Sequence, residues 1–200
     1  MQNPYLLIFC SKNVAFYAVD GIDGSGKSTA ARIIRDELVK RGRDAVIIEH
    51  PNQEGCVGRL LLKLLRSENR LSRPFIPFLF FADITISLLR MKCASSHDDH
   101  IFVRYTMSVC YLPGGVSRIL RFLLRTFLPH PDAAVFVDVP VEVAMERIES
   151  RDDPRETFEN PEDLTSARER MLRMADEEGW FVLDNDSEES VSSAISSIFP

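Results

Sequence analysis

The segment Gly21–Ser28 constrains the fold more than any other part of this 200-residue chain, because it matches the phosphate-loop pattern G-x-x-x-x-G-K-[ST] at every fixed position. Glycines in such a loop allow positive φ angles, so that several backbone N–H groups can converge on one anion. The apolar run Val14–Val19 leads into the segment, and Ser28–Val39 has the composition of a helix. Because a strand, a glycine loop and a helix in this order are the context that the motif requires, the sequence predicts an α/β fold with a phosphate site after its first strand.

The loop residues predict a site for ATP and Mg²⁺. We expect the Lys27 ammonium group to reach the β- and γ-phosphates and to act in catalysis, and the Ser28 hydroxyl to ligate the metal ion. The other residues expected to line the donor nucleotide belong to the loop or directly follow it: Gly21, Asp23, Gly24, Ser25, Gly26 and Thr29.

Charge and cysteine content narrow the class of protein. The net charge of −6 argues against a nucleic-acid or anionic-membrane partner, since either would favour a basic surface. The four cysteines show no CxxC pair and no metal-ligand spacing: Cys10, Cys56, Cys93 and Cys110. We therefore expect buried, reduced thiols and a cytoplasmic protein.

Strand and helix patterns alternate along the chain. Five segments have the composition of strands: Val14–Asp20, Asp44–Glu49, Ile101–Val103, Ala133–Val139 and Trp180–Leu183. Seven segments have helical patterns: Lys27–Arg41, Val57–Arg66, Pro74–Cys93, Val116–Phe127, Val141–Ser150, Pro161–Glu178 and Glu188–Ile198. This alternation predicts a three-layer, doubly wound parallel sheet, whose ligands bind at the carboxyl ends of the strands.

The segments outside this pattern carry further expectations. Residues 13–200 are interpreted as one domain with a polar lid at residues 151–160. Residues 1–12 are interpreted as an extension or an additional edge strand, since the apolar run Tyr5–Cys10 is too short for a signal peptide or a membrane span. We expect the helix Pro74–Cys93 to be mostly buried and the chain from Arg104 to Gly115 to be irregular. The arginines of the fourth predicted helix are expected to face solvent: Arg118, Arg121 and Arg125.

Several motifs, taken in order, resemble the thymidylate kinases. Besides the loop, they are Arg104-Tyr105, Val137-Asp138-Val139-Pro140, the run Glu142–Arg151 into the polar lid, and the closing segment Asp184–Val191. The resemblance covers residues 13–198. It implies a P-loop NTPase fold with the sheet order 2-3-1-4-5, transfer of the ATP γ-phosphoryl group to dTMP, and a homodimer formed through the buried helices.

The acceptor half of the site follows from position and from this resemblance. Arg104 leaves the third strand at the carboxyl edge of the sheet, where its guanidinium group could bind an acceptor phosphate with two hydrogen bonds. The resemblance gives Arg104 that catalytic and substrate-binding role, and it implies that Asp23 faces the acceptor's sugar hydroxyl. The resemblance also matches Phe80 to the position that stacks on the base. It implies that Ser108 and Tyr111 lie near the substrate.

Charged side chains at the edges of the site are interpreted as follows. Arg151 and Arg155 lie in the polar lid, and we expect them to neutralise ATP phosphates during transfer. Asp20 ends the first strand and either accepts a hydrogen bond from metal-bound water or caps the turn. Tyr105 is expected to serve packing.

The chain departs from the family pattern at three positions. Val103 replaces an aspartate before Arg104, Glu49 replaces an arginine two residues before Pro51, and Ile84 replaces an arginine four residues after Phe80. Three alternatives therefore remain: a nucleotide kinase of the thymidylate type with altered acceptor contacts, a P-loop kinase for another small acceptor, and a nucleotide-binding protein with little or no transfer.

Overall fold

One parallel sheet of five strands forms the centre of the protein. The computed structural model describes residues 14–67, 75–93, 98–112, 114–152, 154, 156–185 and 188–198. The strands are β1 Phe16–Asp20, β2 Ala45–Glu49, β3 Asp99–Val103, β4 Ala133–Asp138 and β5 Phe181–Asp184. Their order is β2-β3-β1-β4-β5, and every neighbouring pair is parallel. The predicted sheet order is confirmed.

Seven α-helices connect or flank the strands in the described part of the chain. They are α1 Lys27–Lys40, α2 Cys56–Leu65, α3 Ile76–Cys93, α4 Gly114–Phe127, α5 Val141–Glu149, α6 Pro161–Glu178 and α7 Glu188–Ile198. Capping residues mark both ends of α6. The Asn160 side chain accepts a hydrogen bond from the Asp163 N–H at the start of the helix, and Gly179 ends the helix at φ 70°. None of these helices is long and apolar enough to span a membrane.

Two apolar layers cover the two faces of the sheet. Alternation along β1 sends Phe16 and Ala18 to one face and Tyr17 and Val19 to the other. The first pair packs in the larger cluster with residues of α3 to α6, and the second packs with α1 and α7. The three-layer prediction is confirmed, and the carboxyl ends of β1, β3 and β4 lie together at one edge.

The chain around β3 differs from the sequence prediction. The strand begins at Asp99, two residues earlier than expected, and a 3₁₀ helix spans Met107–Tyr111 within the segment predicted to be irregular. Helix α4 also begins earlier, at Gly114. The buried Asp99 is compatible with a strand because its carboxylate pairs with Arg43 at 2.8 Å and accepts from the Ala15 N–H. These partners are distant in sequence, so no local pattern predicts them.

Three expectations about exposure hold only in part. Cys56 and Cys93 are exposed, whereas Cys110 is buried; all three are free thiols, and Cys10 lies outside the described residues. Helix α3 is not mostly buried, since Phe78 is 69% exposed. Arg118 and Arg125 are exposed as expected, whereas Arg121 is partly buried because it pairs with Glu177 at 2.7 Å and thereby joins α4 to α6. Residues 1–12 also lie outside the described residues.

Candidate active site

The glycine loop connects β1 to α1 at the carboxyl edge of the sheet. Gly24 has φ 77°, and a Cβ atom there would lie 2.4 Å from the carbonyl oxygen of Ala144 on α5. The loop therefore packs directly against the α5 backbone at a position that only glycine can occupy. Its backbone turns within the segment, where the Ser25 N–H donates to the Ile22 carbonyl at 3.1 Å.

Two side chains from distant segments hold the loop's carbonyl groups. Arg147, on α5, donates to the carbonyl oxygens of Gly24 and Ser25 at 3.3 and 3.4 Å. The side-chain amide of Asn185, after β5, donates to the Ser25 carbonyl at 2.6 Å. Both contacts restrain the backbone whose N–H groups would bind phosphates. The sequence predicts this role for neither residue, because the partners are more than 120 positions apart.

Lys27 and Ser28 occupy different environments at the start of α1. The Lys27 ammonium group is buried, donates to the Ile22 carbonyl at 2.6 Å and lies 3.4 Å from the Asp23 carboxylate. Burial lowers the pKa of Lys27, although the nearby carboxylates oppose this effect. Ser28 is exposed, so its hydroxyl is accessible to a metal ion bound to phosphates. Thr29 lies one residue further along, and its hydroxyl accepts from Arg32 at 3.3 Å.

Asp20 organises the turn that presents Arg104. One carboxylate oxygen of Asp20 accepts hydrogen bonds from the N–H groups of Tyr105, Thr106 and Met107, at 2.9 to 3.1 Å. Asp20 therefore caps a turn, although it is the turn after β3 and not the one that begins at Gly21, and a hydrogen bond to metal-bound water stays a prediction. Arg104 lies at the start of this turn with φ 63°, a left-handed conformation that its neighbours must stabilise.

The second oxygen of Asp20 is buried and has no partner among the described residues. Burial raises the pKa of Asp20 to about 6, although the backbone N–H donors oppose the shift. Tyr105 is buried and donates its hydroxyl to the Pro129 carbonyl at 2.8 Å, which agrees with a packing role.

Asp23 connects the donor loop to Arg104. Its carboxylate lies 2.5 Å from an Arg104 terminal nitrogen and 3.4 Å from Lys27, and its N–H donates to the Tyr111 hydroxyl at 3.0 Å. Burial would raise the pKa of Asp23, but the Arg104 and Lys27 charges hold it below its usual range. In this structure the side chain serves these ion pairs, and its contact with a sugar hydroxyl remains a prediction.

An apolar pocket opens beside Arg104 and Asp23. Phe80, Ser108 and Tyr111 all line it, and their contact with a substrate stays a prediction. The Tyr111 ring stacks on Phe158, with ring centroids 5.6 Å apart and planes 30° apart. Helices α2, α3 and α4 contribute six further aliphatic or aromatic residues to the lining: Leu65, Ile76, Pro77, Phe81, Leu120 and Leu124. The pocket thus offers ring-sized apolar surfaces next to one guanidinium group.

The predicted lid contributes one acidic side chain, Glu156, to the lining of this pocket. Glu156 lies 3.5 Å from Arg104, and Arg151 pairs with the buried Glu159. Among the described residues, Arg151 forms its ion pair with Glu159 and not with the glycine loop, although its charge contributes to lowering the pKa of Asp23. Arg155 lies outside the described residues. From the sequence, Glu156 and Glu159 are predicted only to be polar residues of the lid, because no sequence motif links them to Arg104 or Arg151.

The three departures from the family pattern lie outside the pocket lining. Ile84 is fully buried in the larger core cluster, and Val103 is buried in the cluster on the opposite face of the sheet. Glu49 is exposed and borders a separate groove beside β2. Among the described residues, the carboxylates within ion-pair distance of Arg104 are those of Asp23 and Glu156, and Glu49 is not one of them.

The arrangement suits transfer between two phosphates. A loop of N–H groups with a buried lysine faces an arginine, and one carboxylate contacts both cations. Such a site acts by positioning and by positive charge, without a covalent intermediate.

Comparisons with known proteins point to one family. The model of the thymidylate kinase family matches residues 19–195. A protein from Aeropyrum pernix, whose name includes thymidylate kinase, is 34% identical over 174 residues, which cover 83% of this chain and 82% of that protein. A similarly named protein from Methanothermobacter thermautotrophicus is 30% identical and covers 84% of this chain and 85% of its own length. The solved thymidylate kinase of Candida albicans superposes with a TM-score of 0.72 at 19% identity, over 93% of this chain and 91% of that one, which shows a shared fold.

Proposed function

Because the chain belongs to the thymidylate kinase family, we propose that it transfers the γ-phosphoryl group of ATP to dTMP, giving ADP and dTDP. The observation that carries the proposal is the pairing of a complete phosphate loop with Arg104 and an apolar, aromatic-lined pocket at the same edge of the sheet.

The residues divide between donor and acceptor. The N–H groups of the loop and the Lys27 ammonium group bind the ATP phosphates, while Arg147 and Asn185 hold the loop in place. Arg104 binds the acceptor phosphate, and the ion pair with Asp23 orients its guanidinium group. Phe80, Tyr111 and Phe158 exclude water and pack on the thymine ring.

Mg²⁺ and the arginines of the lid complete the proposal. Ser28 would ligate Mg²⁺, and its exposed hydroxyl oxygen is a donor type that this ion accepts. When bound, Mg²⁺ supplies charge neutralisation at the donor phosphates. Arg151 and Arg155 would reach the ATP phosphates after Arg151 leaves Glu159.

A homodimer is the proposed assembly. Apolar side chains exposed on α2 and α3 support it, among them Leu60 at 47% and Leu89 at 55% exposure. Sedimentation equilibrium tests it directly, and a monomer at assay concentrations would contradict it.

The activity is tested by coupling ADP release to a spectrophotometric signal. The acceptors should include dTMP, dUMP, other nucleoside monophosphates and free nucleosides, each with ATP and Mg²⁺. We expect the highest kcat/KM with dTMP and no turnover of nucleosides. Better turnover of another nucleoside monophosphate would contradict dTMP as the acceptor while keeping the first alternative from the sequence. Turnover of free nucleosides alone would favour the second alternative, and no acceptor-stimulated ADP release would favour the third.

Two variants test the assigned cations. Lys27→Ala should lower kcat about a hundred- to thousandfold, because the transferred phosphate loses its fixed positive charge. Arg104→Ala should raise the acceptor KM about ten- to hundredfold, because a charge-assisted contact is lost. The exposed Lys40→Ala and Arg35→Ala on α1 are matched controls, and we expect wild-type kinetics from both. Wild-type turnover by Lys27→Ala would refute the loop assignment.

A further inference from the structure

Both terminal nitrogens of Arg104 lie against carboxylates. One nitrogen is 2.5 Å from Asp23, and the other is 3.5 Å from Glu156. The Arg104 side chain is 22% exposed and the Glu156 side chain is 12% exposed, so water screens this contact only in part. A phosphate that binds the outer edge of this guanidinium group must take the place of Glu156.

Ion pairs already occupy the charged side chains around the pocket before any nucleotide binds. Asp23, Glu156 and Glu159 each place a carboxylate oxygen within 4.8 Å of the others. They are paired with three cations, namely Lys27, Arg104 and Arg151. An acceptor phosphate adds up to two negative charges, so binding it without displacing a carboxylate would leave like charges close together.

Of these three carboxylates, Glu156 is the one that a phosphate can displace from its cation. Asp23 is fixed by Lys27, by Arg104 and by its backbone contact with Tyr111. Glu159 is fully buried against Arg151 and accepts the Glu156 N–H at 2.7 Å. For the Glu156 side chain, Arg104 is the one cation within ion-pair distance among the described residues.

The neighbours of Glu156 extend its effect across the pocket. The Thr157 N–H and hydroxyl donate to the Leu65 carbonyl at 2.8 and 2.6 Å, which ties this segment to the end of α2. Phe158 stacks on Tyr111 inside the pocket. The residues 156–158 therefore contact both the phosphate-binding arginine and the surface that a base would cover.

We propose that Glu156 holds the place of the acceptor's phosphate on Arg104 in the nucleotide-free protein, and that this carboxylate sets the affinity for the acceptor. The inference rests on the proposed phosphoryl transfer to a nucleoside monophosphate. Glu156 acts through Arg104 and is a positioning residue. A monophosphate can displace it by offering a stronger anion, whereas an uncharged nucleoside offers nothing to Arg104.

The test is calorimetric titration of dTMP, dUMP and AMP into the nucleotide-free protein at neutral pH, followed by steady-state kinetics. Glu156→Gln keeps the size of the side chain and removes the charge. We expect it to bind the preferred monophosphate about three- to tenfold more tightly and to lower the acceptor KM by the same factor, with the ATP KM unchanged. The exposed Glu162→Gln at the start of α6 is the matched control and should bind like wild type.

A double-variant cycle separates this role from a general effect on folding. In an Arg104→Ala background, Glu156→Gln should no longer change monophosphate affinity, because the contact no longer exists. Unchanged or weaker binding by Glu156→Gln alone would overturn the inference. Tighter binding of a different monophosphate would refute dTMP as the acceptor while supporting the role of Glu156, and binding of no monophosphate to either protein would overturn both.

Discussion

Several residues of this site are positioned by contacts with residues distant in the sequence. The Gly24 backbone has a left-handed conformation, and α5 packs so closely against it that any side chain at this position would collide with the Ala144 carbonyl. Gly42, after α1, has a similar φ of 75°, but a Cβ atom there would have nothing within 4 Å. Substitution of Gly42 would therefore introduce backbone strain alone, whereas substitution of Gly24 would introduce both backbone strain and a steric clash with α5.

This pair gives a controlled test of the loop. Gly42→Ala should lower the free energy of unfolding by about 1 kcal/mol through strain alone and leave kinetics unchanged. Gly24→Ala should in addition displace the loop and lower kcat/KM for ATP about a hundredfold. Urea unfolding and initial-rate kinetics measure the two effects. Equal kinetics in the two variants would show that contact with α5 does not position the loop.

At the scale of secondary-structure elements, the 3₁₀ helix Met107–Tyr111 carries three pocket residues, Ser108, Val109 and Tyr111. Asp20 fixes its start, and Arg170 of α6 fixes its end by donating to the carbonyls of Cys110 and Leu112 at 3.2 and 2.6 Å. The sequence predicts irregular chain here because both restraints come from segments about 60 to 87 positions away. By contrast, β1 and α1 flank a local motif, so their existence is predictable from adjacent residues.

Arg170→Ala should loosen the acceptor side without touching the donor side. Two carbonyl groups lose a charged donor, so the free energy of unfolding should fall by about 1–2 kcal/mol. The acceptor KM should rise while the ATP KM stays at its wild-type value, because Ser108 and Tyr111 lose their support. Arg173→Ala, exposed on the same helix, is the control for charge removal. An equal rise in both KM values would argue that α6 supports the whole site and not the 3₁₀ helix in particular.

At the scale of the whole molecule, the alternating pattern and the resemblance predict the layers and the strand order, because each strand and its helix are encoded by neighbouring residues. They predict the donor loop for the same reason. The clamp of Arg147 and Asn185 and the carboxylates opposite Arg104 and Arg151 are not predictable in this way, since they exist only after β4, β5 and the lid pack around β1. Glu49, the last residue of β2, borders a groove that shares no lining residue with the pocket, and the family pattern alone does not indicate this position.

His50 joins three elements and couples the stability of the whole fold to pH. It follows β2, its N–H donates to the Val103 carbonyl of β3, its ring stacks on Phe102, and its Nε2 lies 3.0 Å from the Ser87 hydroxyl of α3. Burial lowers the pKa of His50 to about 4, so the folded protein keeps the ring neutral where the unfolded chain already binds a proton. Stability from His50 is therefore complete above the unfolded pKa and falls as the pH drops toward 4.

Glutamine at this position tests that coupling because it does not titrate. Between pH 7 and pH 5, the wild type should lose about 2 kcal/mol more unfolding free energy than His50→Gln, as measured by urea unfolding at each pH. Asp20 acts in the opposite sense, since its pKa is raised to about 6 and its protonation favours the folded state in the same interval. Both proteins retain Asp20, so its contribution cancels from the comparison. Parallel pH profiles for the two proteins would mean that the folded state accommodates a charged His50, contrary to its burial among β2, β3 and α3.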